Sequence, residues 1–264
     1  MIIKLHNRSL IEVSGQDTLV FLQSQFSNDV HKLKPNSLQI STYCQHQGKI
    51  IAIIWVISFE EKIYLSFPSE LQSIVLERLN LFKMMSDVRF FDRSNELIQF
   101  GVIDEEAKNV IPIKDQLSLI ISSKCYEPNL DTDKWENACW ESRLPEIYTA
   151  TCEKFTPQIL NLDIEELGVS FSKGCYPGQE VVARMHYLGK PKRRLFQFRS
   201  KFEPTIGDSI TIKDSESLKP SGNVIRVAKT NDSYHFLGTL EIKHSASKIY
   251  LNNDINRPLN IING

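Results

Sequence analysis

The chain has 264 residues, enough for two or three packed units. Hydrophobic residues make up 41% and charged residues 24%, an ordinary globular balance that excludes a disordered or low-complexity protein. A formal net charge of −1 argues against a surface dominated by phosphate contacts and against direct tRNA binding, while leaving room for a local basic patch.

The opening stretch MIIKLHNRSLIEVSG has no basic segment followed by an apolar run, so no signal peptide is expected. The most apolar run, 50–57, is too short to cross a bilayer as a helix, and no membrane partner is expected. Cysteines 44, 125, 139, 152 and 175 are odd in number and form no CxxC pair. That favours free thiols in a reducing cytoplasm and gives no metal site within the chain.

SLIEVSG reads as a strand, and Ser14 with Asp17 offers a variant capping box for a helix carrying Leu19, Leu22 and Phe26. LQISTYC, KIIAIIWVIS and KIYLSF are β-rich runs, the first two separated by a turn at Gln47-Gly48. Ser69 and Gln72 form a second capping box ahead of Leu71, Val75, Leu79 and Phe82 on one helical face. DVRFFD closes this block, and LIQFGVI and LSLIIS continue the β pattern. Asp131 or Thr132 caps a helix with Trp135, Cys139 and Trp140. GVSFSKGC reads as a short extended segment, Pro177-Gly178 as a turn or helix start, and QEVVARMHY as a helix. From Arg194 the runs RLFQFRS, SITIKD, GNVIRVA, YHFLGTLEI, KIYLN and LNIIN suggest a small barrel or sandwich. The expected portions are 1–94, 95–189 and 190–264.

Residues 173–180 read KGCYPGQE. A thiol just ahead of a helix, with Lys173 two residues before it and Arg184 further on, has a setting that suits a reactive, partly exposed group. The alternative is that Cys175 is a small apolar filler beneath the turn. The basic run Lys190, Lys192, Arg193 and Arg194 is either an anion site or a solvated hinge. No HExxH, GxSxG, Walker or GxGxxG pattern appears.

The motif KGCYPGQEVVARMHYLGKPKRRLF closely resembles that of the YgfZ-type folate-binding proteins, in the superfamily of the glycine-cleavage T-protein, an aminomethyltransferase. Lys173, Gly174, Cys175, Tyr176, Gly178, Gln179 and Glu180 carry that likeness. FLQSQFSNDV, QGKI, FTPQILNLD and PSGNVIRVA resemble further family segments. The resemblance implies an α+β, multi-domain aminomethyltransferase-like fold with ferredoxin-like portions and a C-terminal small β-barrel. It implies tetrahydrofolate as cofactor, with Trp135, Glu141, Lys173, Tyr176 and Arg184 as binding residues and Cys175 as the functional thiol. The implied role is an accessory protein for iron–sulfur cluster assembly or repair, partnered with iron–sulfur assembly proteins or client enzymes, including methylthiolating ones that act on tRNA. Whether it is an enzyme stays open, because a tetrahydrofolate-dependent one-carbon transferase is the alternative. Three departures matter. Arg8 stands where relatives can carry a second folate-associated tryptophan, and Ser142-Arg143 replaces Ala-Gly. Residues 68–77 hold Glu70 but lack the aspartate tied to aminomethyl transfer.

Overall fold

In a computed structural model, the structure describes residues 1–103, 110–124, 131–214 and 217–263. Cys125 lies outside the described residues. The chain runs β1 (Ile2–Lys4), β2 (Arg8–Ser14), α1 (Thr18–Gln25), β3 (Ser37–Cys44), β4 (Ile50–Phe59), β5 (Lys62–Pro68), α2 (Gln72–Lys83) and β6 (Arg89–Asp92). Next come β7 (Ile98–Ile103), β8 (Ile111–Lys114), β9 (Leu117–Ser122), α3 (Thr132–Glu141) and α4 (Gln179–Leu188). The last part holds β10 (Arg193–Ser200), β11 (Ser209–Asp214), β12 (Ser217–Lys229), β13 (Tyr234–Glu241), β14 (Ile249–Leu251) and β15 (Asp254–Asn263). No helix among the described residues is long and apolar enough to cross a membrane.

The fold is α+β, as expected. One antiparallel sheet of five strands has the order β3-β4-β5-β2-β6. Its strand β4 is buried at every position from 50 to 57, so both faces are covered; this explains an unbroken apolar run where a half-exposed strand would alternate. A second sheet has the order β1-β7-β9-β8. The N-terminal strand therefore leaves the first sheet and pairs Ile3 with Gly101 of β7. The strands β10-β13-β12-β11-β14-β15 close into a barrel with its own core, in which Phe198 stacks on Phe236 at 5.0 Å.

Several local expectations change. Asp17 precedes α1 but does not cap it; its carboxylate accepts the Asp87 amide at 2.8 Å. Leu19 is exposed and Phe21 is buried in its place, because the inward face of α1 runs through Thr18, Phe21, Leu22 and Gln25, at helical spacing that leaves position 19 outside it. Gln72 likewise does not close a capping box. Its amide accepts from Ser9 at 2.5 Å and donates to Asp92 at 2.9 Å, tying α2 to β2 and to the end of β6. GVSFSKGC forms no strand; it wraps the turn after α1, where the Ser170 amide donates to the Ser27 carbonyl at 2.9 Å.

Candidate functional site

Cys175 sits on a loop gripped from both sides. Lys173 and Tyr176 are buried, while Gly174 and Cys175 between them are exposed. The Lys173 ammonium donates to the carbonyls of Gln23 (2.5 Å), Asn28 (3.1 Å) and Phe26. Burial pulls its pKa down to about 8, with the Asp29 carboxylate opposing. Its Nζ lies 5.2 Å from the Tyr176 ring centroid, and burial pushes the Tyr176 phenol up, so that it stays protonated. A Cβ built on Gly174 would meet nothing within 4 Å, so the backbone beside the sulfur is open to a partner.

The loop runs into α4 through Gly178, whose φ is +82°. A Cβ there would come within 2.5 Å of the Gln45 carbonyl oxygen and 2.7 Å of Gly48 Cα. The QGKI turn and the cysteine motif thus meet glycine to glycine. Gln158 of the FTPQ segment holds the same helix, donating its side-chain amide to the Val182 carbonyl at 2.7 Å.

The described thiols differ sharply. Cys44 and Cys139 are fully buried, and burial pushes each up to about 12, which keeps them as inert thiols. Cys152 is half-buried and raised by burial and by Glu153. Cys175 alone among the described cysteines is exposed.

Trp135 belongs to a different place. It lines a cavity of about 220 Å³ where the β1–β2 connection, Pro68, α3, Tyr148 and Arg226 of the barrel converge. The indole rests on β7 at Gly101, where a Cβ would approach Cε3 to 2.4 Å. Beside it Glu136 pairs with the buried Arg226, whose Nε lies 2.6 Å from Oε2, and Arg226 also donates to the Leu144 carbonyl at 2.9 Å. Arg8 pairs with the buried Glu146 at 2.5 Å and lies 3.7 Å over the Trp55 ring. Burial pushes the Tyr148 phenol up, leaving its hydroxyl a donor at neutral pH.

The structure therefore brings Lys173, Cys175 and Tyr176 together and sets Trp135 in a cavity that none of them lines. Glu141 is exposed at the end of α3, accepting from Gln116 at 3.2 Å, and does not line that cavity. Arg184 is exposed and paired with Glu180 at 2.6 Å, one turn earlier on α4. In the basic run, Arg194 is held by Asp163 at 2.5 Å and Arg193 by Glu241 at 3.1 Å, whereas Lys190 and Lys192 are exposed along a cleft of about 440 Å³. Sequence reasoning missed Glu136 and Arg226. Glu136 adjoins Trp135 in the chain, but its partner lies 90 residues away in the barrel.

No family model matches the chain. An uncharacterized protein of Haemophilus influenzae is 32% identical over 232 residues, covering 84% of this chain and 82% of that protein. The tRNA-modifying proteins YgfZ of Hamiltonella defensa and Colwellia psychrerythraea are 27% and 26% identical, each across 88% of this chain and 80% and 82% of their own lengths. Among solved structures, the glycine cleavage system aminomethyltransferase T of Bartonella henselae superposes with a TM-score of 0.69 at 10% identity, covering all of this chain and 84% of that one. At that identity the likeness shows the fold. On sequence similarity across most of its length, carried on an aminomethyltransferase fold, the chain belongs to the YgfZ family.

Proposed function

We propose that this protein is a cytoplasmic folate-binding accessory factor for iron–sulfur cluster assembly or repair. It supports iron–sulfur enzymes that include methylthiolating enzymes of tRNA. The observation that carries this reading is the exposed Cys175 thiol on a doubly anchored loop, in a chain similar to proteins named as tRNA-modifying. The thiol is the group that serves the client or assembly protein, and the folate binds separately.

The Trp135 cavity fits the flat head of tetrahydrofolate. Its volume of about 220 Å³ is below the range of roughly 300–1,000 Å³ that encloses a whole drug-sized ligand, which suits a ring system and leaves the tail outside. Trp135 offers an apolar edge, Glu136 a carboxylate for an amino-pyrimidine edge, and Tyr148 a hydroxyl donor. Bound there, tetrahydrofolate supplies a reduced pterin able to carry one-carbon units. Lys190 and Lys192 have the charge to receive its glutamate tail. Glu141 takes no part in holding the ring on this reading, since it stands outside the cavity. The transferase alternative lacks the aspartate tied to aminomethyl transfer: residues 68–77 hold Glu70 instead, which accepts the Thr149 amide at 2.5 Å.

Calorimetry with tetrahydrofolate tests the reading. Trp135→Ala and Glu136→Gln are expected to lose affinity at least about tenfold, or roughly 1.4 kcal/mol, while Glu141→Gln binds as the wild type does. Equal affinity in all three variants would refute the cavity assignment.

A further inference from the structure

Resting on the reading of Cys175 as the functional thiol, we infer that Lys173 is a positioning residue. Its buried ammonium, docked on the Gln23 carbonyl in the last turn of α1 and on the Phe26 and Asn28 carbonyls just beyond it, holds the loop so that the Cys175 sulfur faces outward.

The socket is formed by the end of α1 and the turn beyond it. Helix α1 ends at Gln25, and Phe26 leaves it in extended conformation at φ −106°, ψ 154°. Carbonyls at a helix end lack amide partners and carry the negative end of its dipole, a setting that favours a cation. Ser27 and Asn28 then fix the turn. Ser27 Oγ donates to the Gly168 carbonyl at 2.6 Å, and Asn28 donates its side-chain amide to the Ile40 carbonyl at 2.9 Å while its backbone amide donates to Ser41 Oγ at 2.9 Å. The Ser-Asn segment and the Lys-Gly-Cys segment, about 145 residues apart in sequence, thus form one plug and socket.

An ammonium has three N–H donors, and here three carbonyls receive them. Burying a cation this deeply is costly without such partners. Among the described residues no carboxylate hydrogen-bonds to it; the Asp29 carboxylate acts on it through space and is itself 3.8 Å from Lys32 Nζ. Two residues separate the Lys173 anchor from the buried Tyr176. A chain pinned at both points must carry Gly174 and Cys175 across the gap on the outside, which is where they lie.

A nitroxide attached to Cys175, in a Cys125→Ser/Cys152→Ser background, reports the loop directly. Lys173→Met is expected to raise label mobility about threefold, moving it from a held side chain toward free loop motion. Gly101→Ala, which perturbs β7 away from this loop, is expected to leave the label held. An unchanged spectrum in Lys173→Met overturns the inference. If Lys173→Met does not fold, hydrogen exchange of the wild type decides: peptides covering 20–30 and 168–178 are expected to open at one shared rate, and independent opening overturns it. Support of iron–sulfur enzymes in cells separates the two levels. Full support by Cys175→Ala refutes the thiol's role, whereas the label and exchange results judge Lys173 alone.

Discussion

Gly101 and Trp135 meet backbone to ring, close enough that a methyl group on the glycine would come within 2.4 Å of the indole. Strand β7 gives up a side chain there, and the ring that rests on it faces the cavity where three parts of the fold converge. Gly101→Ala should therefore push the indole off its seat. The overpacking is expected to cost about 1–3 kcal/mol of stability. Tetrahydrofolate affinity should fall with it, and thermal melts with calorimetry check both; unchanged binding would detach Trp135 from the ligand.

Arg8 makes a second, chain-specific prediction. It stands where family members can carry tryptophan, yet here it pairs with Glu146, which is 1% exposed, and covers Trp55. Arg8→Trp leaves a buried carboxylate without its cation, a loss expected to cost about 3–5 kcal/mol. Arg8→Trp/Glu146→Gln should recover most of that in chemical denaturation, because a neutral amide oxygen can still accept the Ile147 amide, now 3.1 Å from the carboxylate.

Gly178→Ala tests the seam between the QGKI turn and the cysteine motif. Its φ of +82° and the 2.5 Å approach that a Cβ would make to the Gln45 carbonyl oxygen both oppose a side chain. The strained backbone alone is expected to cost about 1–3 kcal/mol, and displacing the loop should change the alkylation rate of Cys175. An unaltered rate beside a lowered melting temperature would show that the seam stabilises α4 without shaping the loop.

The contact between α3 and the barrel predicts a pH dependence. His235 stacks on Trp140 at 4.2 Å, and its Nδ1 lies 3.0 Å from Asn137 Oδ1. Burial and the Arg199 charge lower its pKa from 6.5. The unfolded chain therefore takes up a proton first as pH falls below 6.5, and stability declines until the folded pKa is reached. Above 6.5 this contribution is fully present and flat. Melting temperature measured from pH 7.5 down to 5 should fall less in His235→Phe, which keeps the stack and removes the titration.

The legible parts of the sequence were those written in local pattern. Six short β runs broken by Gly, Pro, Asn and Asp gave the barrel strands, and QEVVARMHY gave α4. Short strands such as β1 and β8, three and four residues long, carry too few positions to show alternation. The capping pattern at Gln72 misled because a long-range partner, Ser9, claims the side chain. Within the site, the glycines around Cys175 allowed an exposed thiol but left a buried filler open as well, and the fold decides for exposure. The roles of Lys173 and Glu136 were not legible, because the partners that define them lie about 145 and 90 residues away in sequence.

The most direct test of the account scores methylthiolation of tRNA in cells that depend on this protein for it, comparing wild type, Cys175→Ala and Cys44→Ser. Cys175→Ala is expected to lose the modification while keeping its melting temperature and its tetrahydrofolate affinity. Cys44→Ser, which alters a sealed thiol, is expected to retain it at whatever level of folded protein survives. Full methylthiolation by Cys175→Ala would contradict the claim that the exposed sulfur carries the function.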